Sequence, residues 1–162
     1  MNRYCTLLLI GGLYTTSVLA ESLVGSKVPP YPAGLESKYG ACIAHSLGLN
    51  HACDFSVSDL RRAGDEPHAI LVKKKVAESG GKPVWEVTDQ IDYPPLEKGE
   101  FLSFASCKLN GEMDYRILAL VREGDQEWVK ASKWAVTVDL RNGLFSIVSP
   151  ANIECENAWW GI

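Results

Sequence analysis

Apolar and polar positions alternate with period two along much of this chain, the spacing of half-buried strands. The clearest instance is 134–147, WAVTVDLRNGLFSI. Asn142-Gly143 is a strong hairpin signal, because a two-residue type I′ turn needs φ > 0 at both positions. That turn predicts Leu140 opposite Phe145 and Val138 opposite Ile147. Trp134, Val136, Val138, Leu140, Phe145 and Ile147 then share one face. A second hairpin is expected from 68–77 and 83–91 around Gly80-Gly81. Its register sets Val76 against Trp85, Lys74 against Val87, Val72 against Asp89 and Ile70 against Ile91. A third joins 100–109 to 113–122 around Asn110-Gly111, with Phe104 opposite Ile117 and Leu102 opposite Ala119. Residues 117–121 are apolar on both faces, as in a central strand. Residues 37–44 and 54–61 read as short strands, with Phe55 and Val57 pointing inward.

One stretch breaks the pattern. In 124–133 (GDQEWVKASK) Asp125 can cap a helix, Glu127 falls in its first turn, and Lys130 and Lys133 fall toward its end. A short helix near 125–132 is expected, laying Trp128 over the sheet. The fold class is therefore all-β: an antiparallel sandwich or partly closed barrel of about eight strands, with one short helix.

Residues 1–20 have the form of a secretory signal peptide, with Arg3, an apolar run over 7–13, and small residues at Val18 and Ala20. Cleavage is expected near Ala20, with a periplasmic or secreted product. No later run is long enough for a membrane helix, so no membrane insertion is expected after cleavage. Residues 21–34 carry Pro29, Pro30 and Pro32 and predict an extended arm. Residues 35–162 are expected to form a single β domain. Cys42, Cys53, Cys107 and Cys155 then remain, an even number in an oxidising compartment, which reads as two disulfides. Of three connectivities, Cys42–Cys53 with Cys107–Cys155 is favoured. The whole chain has 16 basic and 20 acidic residues, a net charge of −4, and loses Arg3 with the leader. That balance disfavours nucleic acid as a partner.

Catalytic patterns are missing from the sequence: there is no G-x-S-x-G, H-E-x-x-H, Walker loop or G-x-G-x-x-G. His45 and His51 read as loop residues rather than metal ligands. Glu97, Glu100, Glu123, Asp125 and Glu127 fall where acids are ordinarily solvated. Lys73-Lys74-Lys75 reads as a guard on an exposed strand. Trp159-Trp160 either locks the chain end onto the body or offers an aromatic anchor to a partner.

The run KGEFLSFASCKLNGEMDYRILALV, then EWV, WAVTVDLRNGLFSI and IECENAWWG, resembles a group of small exported proteobacterial proteins of unassigned function. The resemblance covers roughly residues 34–161 and implies a bacterial, periplasmic protein with no catalytic residues to transfer. Ser79-Gly80-Gly81-Lys82 is similar to the Ser/Gly/Lys loop of periplasmic inhibitors of C-type lysozyme. Those are small disulfide-tied β-barrels that insert the loop into the enzyme cleft. This chain is longer than they are and departs from the rest of their pattern.

Together these readings favour a non-enzymatic binding domain over an enzyme. A protein partner is expected, possible roles being inhibitor or immunity protein against an envelope enzyme. Ser79, Lys82, Trp159 and Trp160 are the candidate partner-binding residues, with no cofactor and no metal. The alternative is a carrier holding a small ligand or lipid inside a β-barrel.

Overall fold

The computed structural model describes residues 22–43 and 53–161. The expected signal peptide and the His45–His51 loop lie outside them. The alternating segments form two antiparallel sheets, one of them curled into a half-barrel. The first runs β1 (Lys27–Val28), β6 (Lys82–Asp92), β5 (Pro67–Ser79), β4 (Phe55–Arg62), β2 (Leu35–Glu36), with β3 (Gly40–Ile43) also on β4. The second runs β7 (Glu100–Phe104), β10 (Ile117–Arg122), β11 (Trp128–Asp139), β13 (Ile153–Glu156), β8 (Cys107–Leu109), β9 (Glu112–Asp114), with β12 (Leu144–Ile147) on β11. The described residues thus hold thirteen strands rather than about eight, several of them only two to four residues long.

Period two sorts the core. Phe55, Val57, Ile70 and Val72 of the first sheet meet Leu118, Leu120, Val136 and Val138 of the second. Ile117, Ala119 and Val121 point the other way, against Cys107, Ala135, Ile153 and Cys155. All five residues of 117–121 are at most 1 % exposed, as a central strand requires. On the outer face of the first sheet, Leu60, Ala69, Leu71 and Val87 are covered by Leu23 and Val28 of the proline-rich segment. The segment pairs with β6 through β1, and the chain just after it pairs with β4 through β2. Both favoured disulfides are present, Cys42–Cys53 and Cys107–Cys155.

The helix expected near 125–132 is a strand from Trp128 onward. Trp128, Val129 and Lys130 pair with Glu156, Cys155 and Glu154. The segment had capping signals but no apolar stripe to bury as a helix; as a strand it packs Val129 against the cluster around Cys155. Among the described residues the one helical element is a 3₁₀ turn, Pro150–Asn152.

Registers differ from expectation in three places. At the 142–143 turn, Asp139 faces Leu144 across a four-residue loop, so Val138 meets Phe145 and Val136 meets Ile147. The slip is two residues, which keeps every side chain on its face. The turn is docked on the first sheet: Thr88 Oγ1 donates to Gly143 O (2.8 Å), and Phe145 N donates to Asp89 Oδ2 (2.8 Å). Gly143 has φ 70°, and a Cβ there would lie 2.5 Å from Thr88 Oγ1 and 2.9 Å from Phe55. Ile147 lies on the face of buried Val136, yet it is 90 % exposed, because β12 is an edge strand overhanging the core.

In the β5–β6 hairpin the tight turn and the pairs Val72–Asp89 and Ile70–Ile91 are as expected. Two irregularities between them pair Lys75, not Val76, with Trp85, and Lys73, not Lys74, with Val87. In the third hairpin Ala105 (φ 54°) breaks the strand, and β7 pairs with β10 one residue off, Phe104 with Leu118 and Leu102 with Leu120. The Asn110-Gly111 turn, with φ 53° and 85°, closes the separate β8–β9 hairpin instead.

Candidate functional site

The β5–β6 hairpin outruns its neighbours. β4 ends with Phe55 opposite Lys74, and β1 ends with Val28 opposite Trp85. Residues 76–84 therefore form a two-stranded ribbon with no strand on either side among the described residues. Gly80 and Gly81, at φ 58° and 75°, make the turn, and Ser79 pairs directly with Lys82 below it. Ser79 and Lys82 are both exposed. Lys75 and Glu78 are paired along the ribbon, and Val76 is 41 % exposed on it.

Lys73 does not guard an edge. β5 is paired on both sides, and Lys73 is 7 % exposed. Its Nζ donates to the Tyr31 hydroxyl (3.3 Å) and lies 5.9 Å from the Trp85 ring centre. The base of the ribbon is thereby pinned to the proline-rich segment, with the lysine stem buried and its ammonium placed on a hydroxyl and an indole.

Trp159 and Trp160 occupy a turn after β13, 59 % and 53 % exposed. Buried Asn157 anchors the chain end. Its Nδ2 donates to Gly124 O (2.7 Å) and Gln126 O (3.0 Å), and its N–H to Glu127 O (2.8 Å). Its Oδ1 accepts from Trp159 N (3.1 Å) and its carbonyl from Trp160 N (3.0 Å). One asparagine thus fixes the β10–β11 loop and presents both indoles. An Asn two residues before the indoles, in a turn-forming run, is the sequence signal for this. The hairpin tip and the indoles belong to different sheets, so the four candidate residues form two separate loci.

Two ionic groups are buried that the sequence either does not single out or places in solvent. Asp59 is 1 % exposed. Its Oδ1 accepts from Lys38 N (2.8 Å), Tyr39 N (2.9 Å) and Ser37 Oγ (3.3 Å), while Oδ2 accepts from Arg61 Nε (2.8 Å) and also pairs with Arg61 Nη2. Burial, and next the Asp59 charge, push the Tyr93 hydroxyl up to about 12. Period two would have found the pair, since Asp59 and Arg61 share the inward parity of Phe55 and Val57.

Glu100, expected to be solvated, has a side chain only 1 % exposed. Its Oε2 accepts from Glu97 N (2.9 Å) and pairs with Lys133 (3.1 Å), and Ser132 Oγ donates to Oε1 (3.2 Å). The Glu97 N–H lowers the Glu100 carboxyl below its ordinary value, burial opposes this, and Lys133 adds to the lowering. A folded-state value below the unfolded one contributes stability above the unfolded value, near 4.5, and that stability is lost as the pH falls through the folded value. Glu100→Gln should therefore be less stable than the parent in urea at neutral pH, the gap closing at acid pH. A gap of equal size at pH near 3 would show that the charge contributes nothing.

Among the described residues no group of three His, Cys, Asp or Glu side chains could hold a metal ion. None of the described helices is long and apolar enough to cross a membrane. Comparison of the chain with protein-family models, with curated proteins and with solved structures finds no match.

Proposed function

We propose that this is an exported binding protein that acts on a protein partner, in the manner of an inhibitor or immunity protein directed at an envelope enzyme. The observation that carries the reading is the free ribbon of residues 76–84. Two glycines make its tip thin enough to enter a cleft. Ser79 and Lys82 place a hydroxyl and an ammonium immediately behind that tip. Its base is held by Lys73, Trp85 and the covered outer face of the sheet, so little conformational freedom is lost on docking. The two disulfides suit an exported scaffold. Insertion of a Ser/Gly/Lys tip into an enzyme cleft is also what the resemblance to lysozyme inhibitors implies.

The test is affinity capture with the oxidised protein against periplasmic and secreted extracts, read by mass spectrometry. A stoichiometric enzyme should be retained, and S79A/K82A should weaken its capture by about tenfold or more, a loss typical of central interface residues. Its urea midpoint should stay at the parent value, since both side chains are solvent-exposed. Capture unaffected by the tip variant would remove the ribbon from recognition. A retained small molecule without any protein would favour the carrier reading instead.

A further inference from the structure

The C-terminal turn presents a second surface, of opposite character to the lysine-bearing tip. Trp159 and Trp160 expose more than half their area, and Asn157 ties their turn to the 124–127 backbone, so that this end of the fold also carries the exposed residues Glu123, Asp125, Glu127 and Glu156. Trp159, Glu123 and Asp125 wall one open cleft of about 480 Å³. Among the described residues none of these four carboxylates has an ion-pair partner within 4 Å. Among the described residues of the second sheet, Asp114, Asp139 and Glu100 pair with an arginine or lysine, whereas Glu112 and Glu154 have no such partner within 4 Å. Lys108 of β8, near the same end, sits over the Trp128 ring at 3.4 Å rather than on a carboxylate.

We propose that this surface docks an arginine- or lysine-bearing segment of a protein partner. Indoles offer their faces to a guanidinium or ammonium, and unpaired carboxylates offer the counter-charge. Exposed apolar area alone would accept many occupants, but the surrounding charge selects a cationic one. A second copy of this chain is opposed, because the same patch would bring acid against acid. Asn157 fixes the backbone beneath both indoles, so the surface is ordered before a partner arrives. The inference extends the binding role proposed above and stands on different residues, so the two can fail separately.

The test is an NMR titration of the ¹⁵N-labelled protein, both disulfides formed, with a capped tetra-arginine peptide. Saturable shifts are expected at the Trp159 and Trp160 indole N–H groups and at the amides of 123–127. E123Q/D125N and W159A/W160A should each weaken binding by about tenfold. D65N/E112Q, which removes the same charge elsewhere, and S79A/K82A should leave it within about twofold. Raising the salt from about 0.02 M to about 0.2 M should weaken it. The proposal is overturned by no saturable shift at the two indoles, by equal weakening by D65N/E112Q, or by spermidine binding as tightly as the peptide. W160A dispersing a self-associated form would assign the surface to a second copy and overturn it likewise. Loss of tip-dependent capture with this titration intact would count against the ribbon alone.

Discussion

Replacing Cys107 and Cys155 together by alanine should cost about 4 kcal/mol of stability, the loop-closure entropy for their separation of 48 residues. The two residues face one another across β8 and β13, and both are fully buried. The corner they hold is otherwise weak. β8 pairs with β13, β13 with β11, and β8 with β9 over only three residues each. Such short ladders carry few hydrogen bonds, so the cross-link keeps the corner in register while Ile117, Val121 and Ile153 close over it. Urea denaturation with and without reductant measures the loss, and hydrogen exchange should show the amides of β8, β9 and β13 deprotected first. Breaking Cys42–Cys53, separated by 11 residues, should cost less, about 3 kcal/mol. A loss under about 1 kcal/mol at Cys107–Cys155 would mean that packing alone holds the corner.

The same corner shows what could be read from the sequence. Hydrophobic alternation located the strands, and the even count of cysteines located the ties, because both signals are local or combinatorially small. The register of the third hairpin was not legible. Ala105 takes a positive φ that no residue preference announces, and a shift of one residue there exchanges the faces of β10 against β7. The 125–132 segment failed for a related reason. Capping residues describe how a helix would start, but nothing local states that β13 will return alongside and bury Val129.

Turn chemistry was a better guide where the turn is free. Asn110-Gly111 and Gly80-Gly81 both have the positive φ values their residues suggest. Asn142-Gly143 does not behave as an isolated hairpin turn, because Thr88 and Asp89 of the other sheet take up its backbone. The candidate loci divide in the same way. The ribbon tip was visible as a glycine turn between long strands; its projection was not, since that depends on where β1 and β4 stop. The tryptophan pair was visible as composition, whereas its exposure follows from Asn157, whose partners lie about thirty residues earlier in the chain.

Asp59→Ala should be the most damaging single substitution among the ionic groups, at about 3–5 kcal/mol, the usual cost of breaking a buried pair from one side. It leaves Arg61, whose side chain is 11 % exposed, without its counter-charge. It also removes the acceptor for the Lys38 and Tyr39 N–H groups, which begin the approach to β3 and Cys42. Adding Arg61→Met should recover part of the loss, because no charge is then left stranded, while the two backbone donors stay unsatisfied. Tyr93 reports the change independently. Burial raises its hydroxyl first and the Asp59 charge next, so D59A should bring its titration down from about 12. Ultraviolet titration of tyrosinate checks this, and denaturant unfolding checks the stability. A D59A protein that unfolds at the parent midpoint, with Tyr93 unmoved, would show that the carboxylate neither anchors residues 37–39 nor sets the field at this end of the core.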